Sequence, residues 1–478
     1  MIKITKHLRL RQNYSSILDD QSKFYIKPIE GLEHIEFSGQ FLIQKDGKLK
    51  NKWLQFSQHI LIYSKKKYVN LLNATLQVIF DKNNEIEGLK LIKSGTSLEI
   101  YQKPQKLYEY IRKYCIQREI SDRYKIIQTL YYGSNATFLK LESSLDPHVV
   151  YVAKIYEKQN LISEEQKQSL RKEVQILRTI NHHHISNLVE IFEDDELIFL
   201  LQEELKGESL QIILEKQQRF DENQIKQIMR PLFECVSHLH DNNIFHRDIK
   251  PQNIMFRTSP DFTEPCLIDF SLADFWNKNG RYLFTRCGSI GYVAPEVLQD
   301  KRYVLNIDVY SLGIVIYVLV TLKHPFEDQD KNRMIQKNYH GKIDFTEVQC
   351  SQVLMDLMSK CLEIDYTKRL NCKEALKHQF FQNKIPKMLS FKIKDNRKPS
   401  IIRTPRSQNK QLSVSKFSSD SGNGVSLSQS PSSIDRDRQF SSRFKQNTLL
   451  PEINNFRPKS KYFQTRKSQC DSSTNKIE

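Results

Sequence analysis

The strongest constraint on this 478-residue chain is a short polar loop after an apolar, helix-like run: His246-Arg247-Asp248-Ile249-Lys250-Pro251-Gln252-Asn253. Eight residues place a carboxylate, a lysine and an asparagine on one loop. Phosphoryl transfer needs such groups, because a hydroxyl must be oriented, phosphate charge offset and Mg²⁺ bound by oxygen ligands. A short motif can arise by chance, so its meaning depends on whether partner motifs occur at the expected places.

Partner motifs do occur in order between residues 124 and 381. They are a glycine-containing turn between two strand patterns (Tyr131 to Ala136), a strand lysine (Lys154), a helix glutamate 19 residues later (Glu173), a polar segment after an apolar strand (Gln202 to Ser209), Asp269-Phe270-Ser271, the segment Thr285 to Glu296, an aspartate that begins an apolar helix pattern (Asp308), and an arginine near the end of the region (Arg369). Chance co-occurrence of so many ordered matches is negligible. The region resembles a eukaryotic protein kinase domain, which implies a two-lobed fold that uses ATP and Mg²⁺ to phosphorylate protein substrates.

The resemblance also implies roles for individual residues. Asp248 would orient the substrate hydroxyl and accept its proton, and Lys250 would offset charge on the γ-phosphate. Lys154, paired with Glu173, would hold the α- and β-phosphates. Lys250 and Ser289 are typical of serine/threonine kinases. The implied metal ligands are Asn253 and Asp269. The implied ATP-binding residues are Leu130, Gly133, Ala136, Phe138, Ala153, Lys154, Gln202, Glu203, Leu205 and Met255.

Within that pocket, backbone groups of Glu203 and Leu205 are expected to meet adenine. Gln202 would lie at the rear and narrow the apolar space behind the nucleotide. Two departures from the family pattern stand out. Tyr131 and Ala136 occupy the first and third glycine positions of the phosphate-covering loop, and Ser271 replaces the usual glycine after Asp269-Phe270. They leave open an alternative, a catalytically weak scaffold, although such a scaffold would need none of the retained polar residues.

The region carries further indications of regulation and specificity. In this family, phosphorylation at the position of Thr285 orders the activation segment, the loop that ends at Glu296. Arg247 would supply a guanidinium for that phosphate. Kinases that select arginine upstream of the phosphorylated residue usually carry acids at the positions of Ser209 and Gln252, so no strong arginine requirement is expected. The histidines at 182–184 lack a carboxylate or cysteine at ligand spacing, and a metal site there is not favoured.

Residues 34–118 predict a separate small domain. Apolar and polar residues alternate in short runs between Phe37 and Tyr101, and a helical pattern follows from Gln105 to Glu119. The strands, the closing helix and the run Lys48-Leu49-Lys50-Asn51-Lys52-Trp53-Leu54 resemble a pleckstrin-homology domain. That resemblance implies a small antiparallel β-barrel capped by a helix. The usual helix tryptophan is missing, and Tyr108 or Tyr110 is expected to take its place.

Lysines crowd the first turns of this domain, where Gln44 to Lys67 contains seven lysines and one acid. By resemblance, Lys45, Lys50 and Lys52 are candidate ligands for an anionic membrane or a phosphoinositide head group. The alternatives are a solvated lysine-rich face and a protein-binding module. A pleckstrin-homology domain before a kinase is also the arrangement of protein kinase B-type enzymes, although the catalytic core is more similar to the calcium/calmodulin-dependent group.

Composition bounds the remaining segments. From Lys384 to Glu478 there are 20 basic and 7 acidic residues, so 13 of the 17 net positive charges lie in this serine-rich tail. It is predicted to be disordered, because it cannot bury enough apolar surface to offset the entropy of ordering. The rest is nearly balanced, which disfavours nucleic acid as a partner. Eight scattered cysteines and a polar N-terminal extension (residues 1–33) indicate a cytoplasmic protein, with recruitment to membranes through residues 34–118. Oligomeric state is left open. The expected fold class is α+β and multidomain.

Overall fold

The computed structural model describes residues 16–382, except for 19–21, 30–31, 33, 46–47, 84, 102–103, 134, 217–218, 259–260, 278–286, 300 and 302. The predicted tail (384–478) and Thr285 therefore lie outside the described residues. The described part contains one large antiparallel sheet, a second sheet of five strands, and a mostly helical region that ends at residue 382.

The N-terminal sheet has eight antiparallel strands in the order β1-β5-β4-β3-β2-β8-β7-β6. The strands are β1 (Tyr25–Ile26), β2 (Phe37–Lys45), β3 (Lys48–Ser57), β4 (Ile60–Ser64), β5 (Lys67–Asn70), β6 (Thr75–Phe80), β7 (Ile86–Lys93) and β8 (Thr96–Tyr101). The predicted small antiparallel β-barrel is present as a half-barrel sheet. Among the described residues, β1 and β6 lie at opposite ends of the strand order, and β1 from the N-terminal segment takes the outer edge of β5.

Alternation along the β2–β3 hairpin builds the core of this sheet. Phe41 and Ile43 on β2, and Leu54 and Phe56 on β3, are all at least 98% buried and belong to one apolar cluster. Successive side chains of a strand point to opposite faces, so residues two apart share the core face. Trp53, on the other face of β3, is 61% exposed.

One helix, α1 (Pro104–Ile111), follows the sheet and buries Leu107 and Ile111 against it. It ends earlier than the predicted 105–119 because the chain beyond it turns extended: Ile116 exchanges backbone hydrogen bonds with β6, as acceptor from Leu76 and donor to Ala74. The two tyrosines take different roles. Tyr110 stacks on Phe37 at 5.4 Å, whereas Tyr108 points its hydroxyl away from the sheet.

The second sheet has the order β12-β13-β11-β10-β9 and carries one long helix. Its elements are β9 (Tyr124–Tyr132), β10 (Thr137–Ser143), β11 (Val150–Glu157), α2 (Glu164–Thr179), β12 (Leu188–Glu193) and β13 (Leu197–Glu203). Helix α2 begins with a capping box, in which Ser163 and Gln166 satisfy each other's backbone amides. The strands expected on both sides of the turn at 131–136, at Lys154 and before Gln202, and the helix expected at Glu173, are all present here.

The helical region follows. Its helices are α3 (Leu210–Lys216), α4 (Glu222–Asp241), α5 (Pro295–Leu298), α6 (Ile307–Thr321), α7 (Lys331–His340), α8 (Gln352–Cys361), α9 (Cys372–Leu376) and α10 (Gln379–Gln382). Two short antiparallel strand pairs lie between α4 and α5: β14 (Ile244–Phe245) with β17 (Asp274–Phe275), and β15 (Ile254–Phe256) with β16 (Pro265–Leu267). Helix α6 is apolar around most of its circumference and lies in the core. Along the described stretches, no helix has the length and apolar character needed to cross a bilayer.

The two sheets are joined through a fully buried carboxylate, Glu190 on β12. It accepts hydrogen bonds from the hydroxyls of Tyr108 (2.6 Å) and Tyr124 (2.9 Å), and it pairs with Arg112 (2.8 Å) and Arg123 (3.2 Å). Burial by itself would raise the pKa of this carboxyl, but the two arginines outweigh it and the pKa is lowered. The N-terminal domain is therefore fastened to the five-stranded sheet by an ion cluster screened from water.

Helix α2 is held from the same side. Arg178 donates to the backbone oxygen of Lys113 at 2.8 Å and to Asn73 Oδ1 at 2.6 Å. In the middle of the helix, Arg171 donates to the backbone oxygen of Ile17 at 2.7 Å. Helix α2 is thus contacted near its end by the N-terminal domain and at its middle by the segment that precedes that domain.

Removing the charge of Glu190 should loosen this junction. In Glu190→Gln, the buried Arg123 and the partly buried Arg112 lose their shared carboxylate, so we expect about 3 kcal/mol less free energy of unfolding. Urea unfolding at pH 7 measures the difference. As a control, Glu208→Gln removes an exposed carboxylate paired with Lys216 and should cost less than about 0.5 kcal/mol. Equal losses in the two variants would contradict the role given to Glu190.

The same comparison has a pH dependence. A carboxyl whose pKa is lower in the folded state stabilises the fold fully above its unfolded-state pKa, and that stabilisation is lost as pH falls through the folded-state pKa. The gap between wild type and Glu190→Gln should therefore be widest near neutrality and shrink in acid. A gap that stays constant into acid would show that the charge of Glu190 is not the cause.

Candidate active site

The polar loop at 246–253 is held by a buried carboxylate on α6. Asp308 accepts hydrogen bonds from the backbone amides of His246 and Arg247, both at 2.9 Å, and from His240 Nε2 at 3.1 Å. Arg247 has a left-handed backbone (φ +66°), which costs energy for a side chain larger than glycine. The two bonds to Asp308 hold the loop in this conformation, and so fix the direction of the next residue, Asp248.

Asp248 is 5% exposed and is surrounded by three polar side chains. Oδ1 accepts from Ser289 Oγ at 2.6 Å, and Oδ2 accepts from Asn253 Nδ2 at 2.8 Å and lies 2.8 Å from Lys250 Nζ. Lys250 also donates to Ser289 Oγ at 2.7 Å. This places a carboxylate, an ammonium and a hydroxyl within one small cluster, in which the ammonium lies beside the carboxylate that would face a substrate hydroxyl.

Lys154 on β11 contacts two carboxylates across the cleft. Its ammonium is 2.7 Å from Glu173 Oε1 on α2 and 2.7 Å from Asp269 Oδ1. Burial by itself would lower the pKa of this ammonium, but Asp269 and Glu173 raise it well above its ordinary value. The lysine therefore stays charged, and it ties helix α2 to the Asp269 segment.

Tyr156 is a site residue that the sequence interpretation missed. Its hydroxyl donates to Glu173 Oε2 at 2.5 Å, opposite the oxygen that binds Lys154. The sequence pattern that could have identified Tyr156 is the period-two alternation of a strand, because it puts residues 154 and 156 on the same face of β11.

Asp269 also has a left-handed backbone, with φ +61°. Burial would raise the pKa of its carboxyl, but Lys154 and hydrogen bonds from Ser271 hold the pKa well below its usual range. The Ser271 amide donates to Oδ1 at 3.3 Å. Phe270, between them, is 1% exposed and packs edge-on against His246, with ring centroids 4.8 Å apart.

Asn253 and Asp269 form a donor set that fits a magnesium ion. Ile254 pairs with Leu267 where β15 begins and β16 ends, so the residues flanking the two strands meet at one end. The Asn253 amide nitrogen donates to Asp248, so its side-chain oxygen is the atom left to coordinate a cation. A carboxylate and an amide oxygen are ligands that Mg²⁺ accepts while keeping several waters.

The predicted nucleotide pocket is spread over the second sheet and β15. Phe138 pairs with Lys154, and Ala153 with Leu201, in adjoining strands. The Gly133 amide closes the β9–β10 turn by donating to the Ala136 oxygen at 2.9 Å. The other predicted residues lie on β9 (Leu130), on β13 (Gln202 and Glu203), directly after β13 (Leu205) and on β15 (Met255).

At the edge of this pocket, side chains of the polar segment are used in the fold. Gln202 Nε2 donates to the backbone oxygen of Ser186 at 3.3 Å. Glu203 pairs with Arg257 at 2.7 Å. Gln252, one of the two positions considered for substrate selection, donates to Gln211 at 3.1 Å. The other, Ser209, forms an isolated bridge with Met255.

A buried ion pair supports the site from the helical region. Arg369 meets both carboxylate oxygens of Glu296, at 2.5 and 3.0 Å, and both side chains are at least 98% buried. Glu296 opens α5 beside the segment that carries Ser289, so the pair fixes one wall of the site. A bidentate arginine–carboxylate pair adds direction as well as charge.

Comparison with known proteins agrees with this geometry. Residues 124–381, more than half of the chain, match the family model of the protein kinase domain. The chain belongs to the protein kinase family. The kinase is 33% identical over 319 residues to the serine/threonine-protein kinase cds1 of Schizosaccharomyces pombe, covering 64% of this chain and 68% of the relative. It is 30% identical over 262 residues to calcium/calmodulin-dependent protein kinase type 1 of Macrobrachium nipponense, covering 54% of this chain and 75% of the relative.

A third relative is calcium/calmodulin-dependent protein kinase type I of Schizosaccharomyces pombe, 30% identical over 271 residues, with 55% of this chain and 80% of the relative covered. The chain is therefore a protein serine/threonine kinase, and a kinase domain of this family uses ATP and Mg²⁺. The similarity to the calcium/calmodulin-dependent group agrees with the resemblance drawn from the core motifs.

The hydroxyl of Ser289 gives a direct test of the Asp248 cluster. Ser289→Ala removes the donor to Asp248 Oδ1 and the acceptor for Lys250, so we expect kcat to fall about tenfold with little change in KM for ATP. Steady-state assays on a peptide substrate measure both constants. Ser289→Thr keeps the hydroxyl and should retain most of the activity. If the alanine and threonine variants were equally impaired, side-chain volume rather than the hydroxyl would be responsible.

Proposed function

We propose that this kinase transfers the γ-phosphate of ATP to serine and threonine hydroxyls with Asp248 as the group that orients the hydroxyl and accepts its proton. The observation that carries the proposal is the placement of Lys154, whose ammonium lies 2.7 Å from both Glu173 and Asp269. Kinase activity needs that clamp and the metal-binding aspartate in place together. The catalytically weak scaffold is disfavoured because a binding protein has no use for a buried lysine between two carboxylates.

The remaining residues have complementary tasks in this proposal. Lys250 lies beside Asp248 and would neutralise charge that develops on the transferred phosphoryl group. Asn253 and Asp269 would hold Mg²⁺, which bridges phosphate oxygens and offsets their charge when bound. The backbone of the β9–β10 turn would cover the phosphates, and the segment after β13 would meet adenine.

Asp248→Asn tests the role of the carboxylate. The amide keeps the size of the side chain but cannot accept the proton, so we expect kcat to fall by at least about a hundredfold. Phosphate incorporation into a generic protein substrate is the measurement. Asp344→Asn, on an exposed turn of the same region, is the matched control and should behave as wild type. Equal background rates in wild type and Asp248→Asn would instead identify the catalytically weak scaffold.

We further propose that the N-terminal domain is a pleckstrin-homology-like module that brings the kinase to anionic membranes. Seven consecutive antiparallel strands followed by one helix support the resemblance. Leu49 and Trp53, on the outer face of β3, are 58% and 61% exposed. Lys48, Lys50 and Lys52 take the alternate positions and therefore lie on the other face of the same strand. Exposed apolar and aromatic side chains suit the interface between lipid head groups and acyl chains, and lysines suit anionic head groups.

The lysines of two neighbouring segments lie together. β3 pairs with β4, and the Lys52 ammonium lies 3.3 Å from the centre of the Tyr63 ring on β4. Lys65 and Lys66 form the turn after β4, and Lys67 opens β5. This arrangement supports a single basic surface shared by β3 and the β4–β5 turn. Nothing is described of the side chain of Lys45, the third predicted lipid-binding lysine.

Removing two of these charges should weaken membrane binding. In Lys50→Gln/Lys52→Gln we expect a loss of about thirtyfold in partitioning onto vesicles with 30% phosphatidylserine, at about 1 kcal/mol per lysine. Vesicle sedimentation measures it, with neutral vesicles as a baseline. Lys82→Gln/Lys106→Gln changes the charge equally and should bind as wild type. Binding to phosphoinositide vesicles of matched charge separates head-group selectivity from general attraction, and no binding to any vesicle would favour a protein-binding module.

A further inference from the structure

A carboxylate outside the predicted catalytic set lies between the two halves of the site. Asp274 begins β17, and its backbone pairs with Phe245 on β14. Phe245 lies immediately before the polar loop at 246–253 that carries Asp248, the catalytic loop. The residue is 7% exposed. Its Oδ1 accepts from the amide of Phe275 at 2.9 Å, which fixes the direction of the side chain.

The other oxygen of Asp274 is shared by two cations. Oδ2 lies 2.8 Å from Lys172 Nζ and 3.2 Å from Arg247 Nη2. Lys172 precedes Glu173 on helix α2, and Arg247 precedes Asp248 on the catalytic loop. One carboxylate oxygen therefore connects the helix that holds the Lys154 partner with the loop that holds Asp248.

Asp274, Lys172 and Arg247 together carry one negative and two positive charges. Without the carboxylate, an ammonium and a guanidinium would converge on one point and repel each other. With it, each cation gains a charge-assisted hydrogen bond, and the repulsion is offset. Arg247 is further fixed by donating from Nε to the backbone oxygen of Leu272 at 2.7 Å.

We propose that Asp274 is a positioning residue that aligns helix α2 with the catalytic loop, and that it does so without a phosphate on the activation segment. In kinases, a phosphate on that segment orders the site by pairing with arginine. Here the arginine expected to receive a phosphate on Thr285 already has a carboxylate partner. This inference rests on the kinase activity of the chain, and it refines the regulatory role expected for Thr285 and Arg247.

The expected consequence is that kinase activity depends little on phosphorylation of Thr285. The phosphate on Thr285 would compete with Asp274 for Arg247 and would be repelled by the same carboxylate. Dephosphorylated wild type should therefore keep much of the activity of the phosphorylated enzyme. Loss of the Asp274 charge should reverse this behaviour, because Lys172 and Arg247 would then offer two cations to the phosphate.

The test uses full-length enzyme in two forms, one treated with phosphatase and one phosphorylated on Thr285, each verified by intact mass. For wild type we expect kcat of the two forms to agree within about threefold. For dephosphorylated Asp274→Asn we expect kcat to fall about tenfold with KM for ATP little changed, and phosphorylation to restore most of it. Asp274→Glu keeps the charge and should recover part of the loss.

Matched controls separate alignment from folding. Glu164→Gln removes an exposed carboxylate that pairs with Arg171 on the same helix, and it should leave kcat unchanged. Thermal unfolding of each variant and titration of active sites correct kcat for the folded fraction. Loss of activity in Asp274→Asn that only follows the folded fraction would overturn the proposal.

Two further outcomes are distinguishable. If wild type is active only when Thr285 is phosphorylated, Asp274 does not align the site and the inference is overturned, while the kinase function stands. If wild type is inactive in both forms, the proposed catalytic function itself has failed. Restoration of dephosphorylated Asp274→Asn by a phosphate on Thr285, together with phosphate-independent wild type, would support the inference against a purely structural role.

Discussion

The geometry of this kinase depends on one buried ammonium. Lys154 is removed from water, which is unfavourable for a charge unless partners compensate, and the partners are Glu173 and Asp269 at 2.7 Å each. Because Glu173 lies on α2 and Asp269 lies beside the catalytic loop, satisfying the lysine requires the small sheet, the helix and the helical region to be aligned. The Tyr156 hydroxyl donates a further hydrogen bond to the Glu173 carboxylate. A displaced helix would leave a buried lysine with one carboxylate, so the electrostatic cost resists displacement.

The helix that carries Glu173 is held by more than the kinase domain. Arg171 and Arg178 donate to backbone or amide oxygens of the N-terminal segment and domain, and Lys172 meets Asp274 beside the catalytic loop. The three basic residues are spread over two turns, so they restrain both translation and rotation of the helix. Glu190 supports this arrangement indirectly. It holds the N-terminal domain through Tyr108 and Arg112, and Arg178 of the helix contacts the backbone of that domain. The N-terminal domain is thus part of the structure that positions the catalytic residues, in addition to any surface it binds.

Sequence patterns predicted the kinase fold and the residues that meet in its site, because each motif carries its own spacing and polarity. Asp248, Asn253 and Lys250 come together as expected, as do Lys154 and Glu173. Sequence reasoning could not find Glu190 or Asp274 in their roles. An acid on a strand is ordinarily solvated, and both residues matter only through cations that are distant along the chain. Strand β1 was missed for a related reason: it is two residues long and has no periodicity to detect.

The departures from the family pattern keep the backbone hydrogen bonds of the site. In the β9–β10 turn, a Cβ added at Gly133 would lie 2.8 Å from the Ala136 oxygen, closer than real Cβ atoms come to another atom. That glycine is required by the turn itself, whereas the positions of Tyr131 and Ala136 have room for a side chain. After Asp269, Ser271 contributes its amide to the carboxylate, which any residue but proline would do, and its hydroxyl adds a second hydrogen bond to the same carboxylate. The substitutions therefore leave the polar contacts of the site intact, and this is the physical reason that an altered glycine loop and a complete catalytic set coexist in one chain.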